Sequence, residues 1–159
     1  MFRSMVSFVP PRISATVASA NSSAATLQLA YTYSHFRYDQ ADYNDVTYRD
    51  TWVPNSPQNQ AYLDAEYRLD RHFAVGASGE LRGRWFVDPS NVASVDGYTL
   101  LHARLSARWD LGGHAYELLL SGHNLTGVKY IAFSEPDPDG NSYQPAATRE
   151  LFATVSARF

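Results

Sequence analysis

Several features are missing from this sequence of 159 residues, and each absence excludes something. It has no cysteine, which excludes disulfide bonds and thiolate metal sites. It has no run of about 18–20 apolar residues, which excludes a transmembrane helix. Its 13 basic and 16 acidic side chains give a net charge of −3, so the composition does not indicate a nucleic-acid-binding surface. Apolar residues do not recur with helical spacing, so we predict essentially no helix.

Motifs for catalysis or metal binding are also missing. The sequence has no G-x-S-x-G, phosphate-loop or dinucleotide-binding motif. The segment DPDGN at 137–141 resembles the start of a calcium loop but lacks the later bidentate glutamate, so we interpret it as a turn. The histidines show no ligand spacing on one strand face; they are His35, His72, His102, His114 and His123. We therefore expect no enzymatic activity, metal site or cofactor.

Period-2 alternation is the strongest positive signal. In the final stretch, TRELFATVSARF, the residues on one face are Leu151, Ala153, Val155, Ala157 and Phe159. Similar alternation occurs in 26–38, 61–69, 73–85, 98–109 and, less regularly, 114–125, and residues 12–19 form a weaker seventh segment. The pattern predicts an all-β, antiparallel, up-and-down meander of about six or seven long strands.

Strand length, charge and connection length favour a membrane sheet over a soluble sandwich. The segments run to about 9–13 residues, whereas ordinary strands have about 5–6 and tilted membrane strands about 9–11. Short turns alternate with long polar connections at 39–57, 87–97 and 125–146, which is the plan of an outer-membrane barrel. The polar face carries charges that a sandwich core could not bury unpaired: Glu80, Arg82, Arg84, His102, Arg104 and Arg108. We therefore predict a partial, open transmembrane β-barrel sheet whose charged face lines a wet lumen.

Aromatic residues cluster at the ends of the predicted strands, where membrane-interface girdles lie. The candidates are Tyr31, Tyr33, Phe73, Trp85, Trp109 and Phe159. The alternative is that they are ordinary strand residues that reflect β-propensity. The N-terminal segment, residues 1–25, is poorly defined. It contains Ala18-Ser19-Ala20, but Pro10, Pro11 and Arg12 interrupt its apolar region, so we expect it to belong to a longer chain rather than to be a signal peptide.

Residues 26–159 resemble the C-terminal part of the barrel of TonB-dependent outer-membrane receptors. The landmarks are PNSP at 54–57 before one strand, DGYTL at 96–100 opening another, and NLT at 124–126 closing a third. In the last landmark an acidic residue usually follows, but this sequence continues with Gly127-Val128-Lys129-Tyr130, so the match there is looser. The terminal Phe159 completes the resemblance.

The resemblance implies a role in nutrient uptake, with ferric siderophores or similar scarce chelates bound at the outer face and import driven by TonB. It implies a barrel of about 22 strands around a plug domain, so this chain alone is expected not to transport. It also implies that the alternating residues ending at Phe159 form the signal read by the barrel assembly machinery, with the C-terminus in the periplasm and outer-membrane lipid around the apolar face. The best candidates for ligand contact lie around the loop 134–145: Tyr130, Phe133 and Tyr143.

Two other interpretations remain. A small stand-alone outer-membrane barrel with an adhesive or structural role would need another strand and an export signal from residues 1–20. A soluble all-β binding domain would have to pack its apolar faces as a sandwich, against which strand length and the terminal Phe159 both weigh.

Overall fold

A computed structural model describes residues 6–8, 12–43, 45–137 and 139–158. Fourteen strands and no helix occur in these ranges, and therefore no described helix could cross a membrane. The strands are β1 (Val6–Phe8), β2 (Arg12–Asn21), β3 (Ala25–His35), β4 (Arg37–Tyr43), β5 (Val46–Trp52), β6 (Asn59–Arg68), β7 (Phe73–Arg82), β8 (Trp85–Phe86), β9 (Ser94–Val95), β10 (Tyr98–Leu111), β11 (His114–His123), β12 (Ile131–Glu135), β13 (Ser142–Pro145) and β14 (Glu150–Arg158).

The main element is a seven-stranded sheet with the order β14-β11-β10-β7-β6-β3-β2. All its pairings are antiparallel, between strands that follow one another along the chain. Within the described residues, β2 and β14 each pair on one side only, so the sheet is open. This confirms the predicted all-β open meander.

The sheet has two unlike faces, because direct cross-strand partners project to the same side. The apolar face carries rows such as Leu29, Leu63 and Leu101, which the register aligns through Gly79. The charged face carries rows such as Glu66, Gly76 and Arg104. Period-2 alternation in the sequence therefore translates directly into one apolar and one polar surface.

Strand β2 reverses this pattern. Val17 is the partner of Ala30, which is the partner of Tyr62, and that row belongs to the charged face. Ile13 and Val17 therefore lie on the charged face, while the apolar face of β2 carries small or polar residues: Ser14, Thr16, Ala18 and Ala20. This segment had the weakest pattern in the sequence, and its larger apolar side chains lie opposite to those of the other strands.

Short turns and long loops lie at opposite ends of the sheet. Residues 22–24, 69–72 and 112–113 make short turns on one side. The other side carries three long connections, which we name loop A (36–58), loop B (83–97) and loop C (124–149). We refer to the two ends as the short-turn side and the long-loop side.

The long loops contain secondary structure that the alternation did not predict. Loop A contains the β4–β5 hairpin, to which β1 adds a third strand; loop B contains β8–β9 and loop C contains β12–β13. In β4, with the sequence RYDQADY, polar residues occupy both faces, so the sequence gives no period-2 signal. The third long strand, expected to continue to Trp85, ends at Arg82, and Trp85 begins the separate strand β8.

The buried apolar residues lie at the long-loop side rather than beneath the sheet. Among the described residues they are Ala41, Trp85, Val87, Val95 and Leu100. By contrast, the large side chains of the apolar face remain exposed, including Leu63 at 45% and Leu151 at 80%. A soluble sheet would cover such a face with a second layer, so this sheet requires an apolar surrounding.

Candidate functional site

The long loops meet in a packed cluster that has its own small core. Trp85, Val87 and Val95 are buried together, and Tyr98 and Ile131 pack against them. These residues come from loop B, the first residue of β10 and loop C. Loops usually lie over a surface with few buried contacts, whereas these loops bury the largest side chain of the core, Trp85, which is 1% exposed.

Ser134 joins all three loops through hydrogen bonds. Its hydroxyl accepts a hydrogen bond from the indole N–H of Trp85 at 2.9 Å and donates one to Oδ1 of Asn55 at 2.7 Å. The side-chain amide of Asn55 donates in turn to the carbonyl of Ser134. Ser134 is fully buried, so these contacts satisfy polar groups that water does not reach.

A second set of hydrogen bonds connects the same loops at Asn91. Its Oδ1 accepts from the backbone N–H of Trp52 at 2.6 Å, and its Nδ2 donates to the carbonyl of Trp52 at 3.0 Å. Nearby, Nδ2 of Asn141 donates to Asp88 at 3.2 Å, which ties loop C to loop B. Burial by itself raises the pKa of Asp88, but hydrogen bonds from Ser90 and Asn141 outweigh it and hold that pKa below its ordinary value.

A cavity of about 470 Å³ lies beside this cluster. Its lining includes Val95, Tyr98, Lys129, Tyr130 and Tyr143. The rings of Tyr98 and Tyr130 have centroids 4.4 Å apart. Burial, followed by the neighbouring Tyr98, raises the pKa of the Tyr130 phenol. The cavity thus offers aromatic faces, neutral phenols and one ammonium group, which together suit an aromatic or anionic ligand.

Of the three loop residues proposed for ligand contact, the structure brings two together. Tyr130 and Tyr143 both line the cavity, whereas Phe133 does not and is 43% exposed. Tyr98 and Lys129 were not singled out from the sequence. Their positions in the sequence could have indicated both, since Tyr98 lies in the DGYTL landmark and Lys129 directly precedes Tyr130.

The predicted charged wall contains a compact ion cluster. Arg104 of β10 crosses strand β7 and reaches two carboxylates on β6. Its Nη1 lies 2.6 Å from Oδ2 of Asp64, and its Nη2 lies 3.0 Å from Oε2 of Glu66. Arg108 pairs with Glu117 on the adjacent strand at 2.9 Å. His102 and Glu80 share the same face by register. The wall is therefore polar and internally paired.

Arg82 and Arg84 lie in different surroundings from that wall. Arg82 ends β7 and places its guanidinium 4.4 Å from the Trp85 ring centroid, while Nη1 donates to the carbonyl of Ala132 at 3.1 Å. Arg84 lies beyond the end of the strand, in loop B, over the ring of Phe86. Arg82 thus supports the loop cluster, and Arg84 does not line the sheet.

Two histidines lie side by side at the long-loop side, a pair that the sequence did not indicate. The rings of His102 and His123 have centroids 5.2 Å apart, and Nδ1 of His102 accepts the backbone N–H of Asn124 at 3.3 Å. No group of three or more metal-binding side chains occurs in the described part of the chain. The two histidines are on neighbouring strands, 21 positions apart in sequence, so spacing along one strand could not reveal the pair.

Most predicted interface aromatics lie on the apolar face, but Trp85 does not. Phe73 and Trp109 are partly exposed near the short-turn side, and Trp109 stacks on Tyr116 with a centroid distance of 5.9 Å. Tyr31 and Tyr33 share the apolar face with Leu29. Trp85 instead lies inside the loop cluster, because β7 ends before it. Its indole therefore offers no surface to a membrane interface.

The alternating residues at the C-terminal end lie on one face of an edge strand. Leu151, Ala153, Val155 and Ala157 are all exposed on the apolar face of β14, whose one strand partner in the described part of the chain is β11. Phe159 lies outside the described residues.

The geometry described so far defines a class: part of a β-barrel with an exposed apolar face, a charged inner wall and organised long loops. The chain matches the family model for the TonB dependent receptor-like β-barrel over residues 14–125, which is more than half its length. It therefore belongs to the TonB-dependent receptor β-barrel family.

Solved structures with the same fold include two receptors from Acinetobacter baumannii. The siderophore receptor PiuA matches with a TM-score of 0.75 and 17% identity, over 93% of this chain and 22% of that chain. The ferric preacinetobactin receptor BauA matches with a TM-score of 0.73 and 18% identity, over 93% and 22% respectively. The ferric-catecholate import receptor Fiu from E. coli K12, in its closed form, matches with a TM-score of 0.70 and 19% identity, over 90% of this chain and 20% of that chain. The chain thus spans about a fifth of their length, and at these identities the likeness shows the fold.

A search among curated proteins found no significant match.

Proposed function

We propose that this chain is part of an outer-membrane receptor of a Gram-negative bacterium that imports a ferric siderophore or a similar chelate. The observation that supports this most is the inverted burial: the sheet leaves its apolar face exposed, while its loops contain the buried core. Lipid satisfies such a face, and a charged lumen satisfies the other. The receptors PiuA, BauA and Fiu, which share the fold, are named for siderophore or ferric-chelate binding.

In this proposal each end of the sheet has its own role. The long-loop side lies outside the cell, and the cavity lined by Tyr98, Lys129, Tyr130 and Tyr143 contacts the chelate. The short-turn side and the C-terminus lie in the periplasm. The aromatic side chains of Tyr31, Tyr33, Phe73, Trp109 and Phe159 contact the lipid interfaces.

The remaining partners come from the whole receptor. A plug domain fills the lumen beside the charged wall, and TonB supplies the energy for import. The barrel assembly machinery binds the last strand by strand pairing, through the alternating positions ending at Phe159. The chain acts in binding and transport, not in catalysis, and does not transport alone.

Location is tested by an immunoblot of the host's outer-membrane fraction, with an antibody against residues 142–150. A band several times larger than 17.8 kDa supports a receptor of which this chain is a part. A band at 17.8 kDa in that fraction favours a small stand-alone barrel instead. A signal confined to the soluble fraction contradicts the proposal.

Ligand binding is tested by substituting cavity residues in the full receptor gene. Tyr143→Ala is expected to weaken binding of the cognate ⁵⁵Fe-labelled chelate to whole cells about tenfold, because it removes an aromatic wall. The matched control is Val92→Ala, which changes an 87% exposed loop residue outside the cavity. Equal binding by both variants would remove the cavity from the proposal.

A further inference from the structure

A groove interrupts the apolar face where β10, β11 and β14 lie side by side. Its volume is about 480 Å³, and residues with small side chains form its floor: Ala103, Gly122 and Ala153. Leucines border it, among them Leu125 and Leu151. Ala103, Gly122 and Leu151 are direct partners in register, so the groove opens on the same side as the exposed leucines of the sheet. In the proposed orientation that side contacts lipid.

Gly122 permits the chain that follows β11 to fold back over this face. A methyl group built on Gly122 would lie 2.6 Å from Cδ2 of Leu125 and 3.1 Å from Cδ2 of Leu151. The backbone N–H of Leu125 donates to the carbonyl of Leu101 at 2.8 Å. Leu125 therefore forms a wall of the groove, although it belongs to loop C.

The carbonyl of Leu125 also positions a cation at the long-loop end of the groove. Nε of Arg149 donates to that carbonyl at 2.9 Å. The guanidinium lies over Gly127, since a methyl group built there would lie 3.2 Å from both Nε and Nη2 of Arg149. The Arg149 side chain is exposed. Glu150, the next residue, is the direct partner of His123 and projects to the charged face, so its carboxylate does not lie on the side of the groove.

We propose that the groove and Arg149 bind one molecule of an outer-leaflet lipid that carries a phosphate group. An acyl chain lies in the groove, and the phosphate contacts the guanidinium. One ligand that satisfies both parts must be amphipathic, because the groove presents apolar side chains and its cation requires an anion. A guanidinium suits phosphate, since its planar fork of donors matches the phosphate oxygens.

This inference rests on the proposed function for the direction of the sheet, which places loop C at the outer leaflet. It adds a site apart from the proposed chelate site. No described residue lines both this groove and the cavity beside Tyr130, so the two sites can be altered separately.

Native mass spectrometry of the full receptor tests the lipid site. The receptor is purified from outer membranes in dodecyl maltoside and titrated with diphosphoryl lipid A as the probe. Arg149→Gln removes the cation and is expected to weaken one lipid-binding event about tenfold, because it removes charge-assisted hydrogen bonds. Ala103→Phe occupies the groove and is expected to weaken the same event about tenfold, because the acyl chain no longer buries its apolar surface there.

Two matched variants control for charge and for bulk. Arg12→Gln removes another exposed cation at the long-loop side, on β2. Ala65→Phe places the same ring on the same row of the apolar face, outside the groove. Both should bind lipid A like the unmodified receptor. All four variants should still bind the labelled ferric chelate, which shows that each has folded.

Weaker lipid binding in both Arg149→Gln and Ala103→Phe, with both controls unchanged, supports the site. Any other pattern overturns it: a loss with Arg149→Gln alone shows a surface ion contact without a chain in the groove, and a loss with Ala103→Phe alone shows apolar adsorption without a phosphate contact. Displacement of lipid A by an equal concentration of inorganic phosphate also overturns it, because the site would then select free phosphate. Absence of the receptor from the outer-membrane fraction contradicts the proposed function, whereas equal lipid binding by receptor recovered from that fraction contradicts the lipid site alone.

Discussion

The guanidinium of Arg104 lies over Gly76, its direct partner on the neighbouring strand. A methyl group built on Gly76 would lie 2.6 Å from both Cζ and Nε of Arg104. Because Gly76 has no side chain, Arg104 can extend across β7 and contact Asp64 and Glu66 on β6. A glycine in a strand interior usually weakens the strand; at this position it provides the space for an ion cluster that links β10 to β6 across β7.

The substitution Gly76→Ala is therefore expected to destabilise the sheet by about 1–2 kcal/mol, because it displaces Arg104 from its carboxylates. The loss stays below the roughly 3–5 kcal/mol of a fully buried pair, since the Arg104 side chain is 31% exposed. Urea unfolding in detergent micelles measures it. Gly79→Ala on the same strand is the matched control, because its added methyl meets Leu101 at an ordinary 3.6 Å. In an Arg104→Ala background the Gly76→Ala effect should disappear; if it persists, backbone conformation rather than Arg104 is the cause.

The larger apolar side chains of β2 lie on the charged face of the sheet, unlike those of β3. We therefore expect lysine to lower the free energy of unfolding by different amounts at Leu29 and at Val17, which lie at adjacent depths in the membrane. Leu29→Lys places an ammonium group on the apolar face, where a midplane charge costs about 2–4 kcal/mol. Val17→Lys places it on the charged face, one register position away, and should cost less than about 1 kcal/mol. The folded fraction in lipid vesicles, measured against urea, compares the two. Equal costs would mean that the faces of β2 are assigned wrongly.

Alternation in the sequence was sufficient to predict the long strands and their two faces, because burial on one side only imposes a period of two. At β2 it predicted the strand but did not indicate its orientation: Ile13 and Val17 alternate with polar residues, yet they project to the charged face. Register decides that question, and register depends on the partner strand rather than on the segment itself. The loop hairpins were missed because polar residues occupy both faces of β4.

Candidate site residues could be predicted only where the residue type alone, such as an aromatic side chain near a long loop, indicates ligand contact. Tyr130 and Tyr143 were selected as aromatic residues near a long loop, and both line the cavity. Ser134 and Asn91 were not selected, because isolated serine and asparagine residues in a loop normally indicate a turn. Their importance arises from contacts with residues 39 to 79 positions away, which no local pattern contains.

Ser134 is expected to be essential for the order of the three loops. Ser134→Ala leaves the buried indole N–H of Trp85 without its acceptor, which costs about 1–3 kcal/mol. The expected result is faster hydrogen exchange in all three loops together and a red-shifted Trp85 emission. Ser142→Ala, on the exposed partner strand of the same hairpin, should change neither measurement. A response confined to loop C would show that the loops are not joined through Ser134.

Asn124 is expected to hold the base of loop C. Its buried side chain donates to the carbonyls of Val128 and Ala147 and accepts the N–H of Val128, and its φ of 46° lies in the left-handed region. Asn124→Gly keeps that backbone conformation available but removes these hydrogen bonds. We expect a gain of about tenfold in the rate of proteolytic cleavage within loop C, with the strands still protected. Asp139→Gly, at an exposed position of the same loop, serves as the comparison; cleavage no faster than in that variant would contradict the role of Asn124.

The lowered pKa of Asp88 allows a prediction of how the stability of loops B and C changes at acidic pH. Its folded-state pKa is lowered, because hydrogen bonds from Ser90 and Asn141 outweigh the effect of burial. A carboxylate with a lowered pKa contributes stability that is fully present above its unfolded pKa of about 3.9 and disappears as the pH falls through the folded pKa. Local stability of loops B and C should therefore be constant from pH 7 to about pH 5 and decrease below about pH 4, as measured by Trp85 fluorescence during urea titration.

Asp88→Asn should flatten this decrease and lower stability at pH 7, since an amide accepts hydrogen bonds less strongly than a carboxylate. Asp139→Asn tests the specificity of the effect, because it removes one carboxylate at an exposed position of loop C and leaves Asp88 in place. An identical loss of pH dependence in that variant would assign the acid response to overall charge rather than to Asp88.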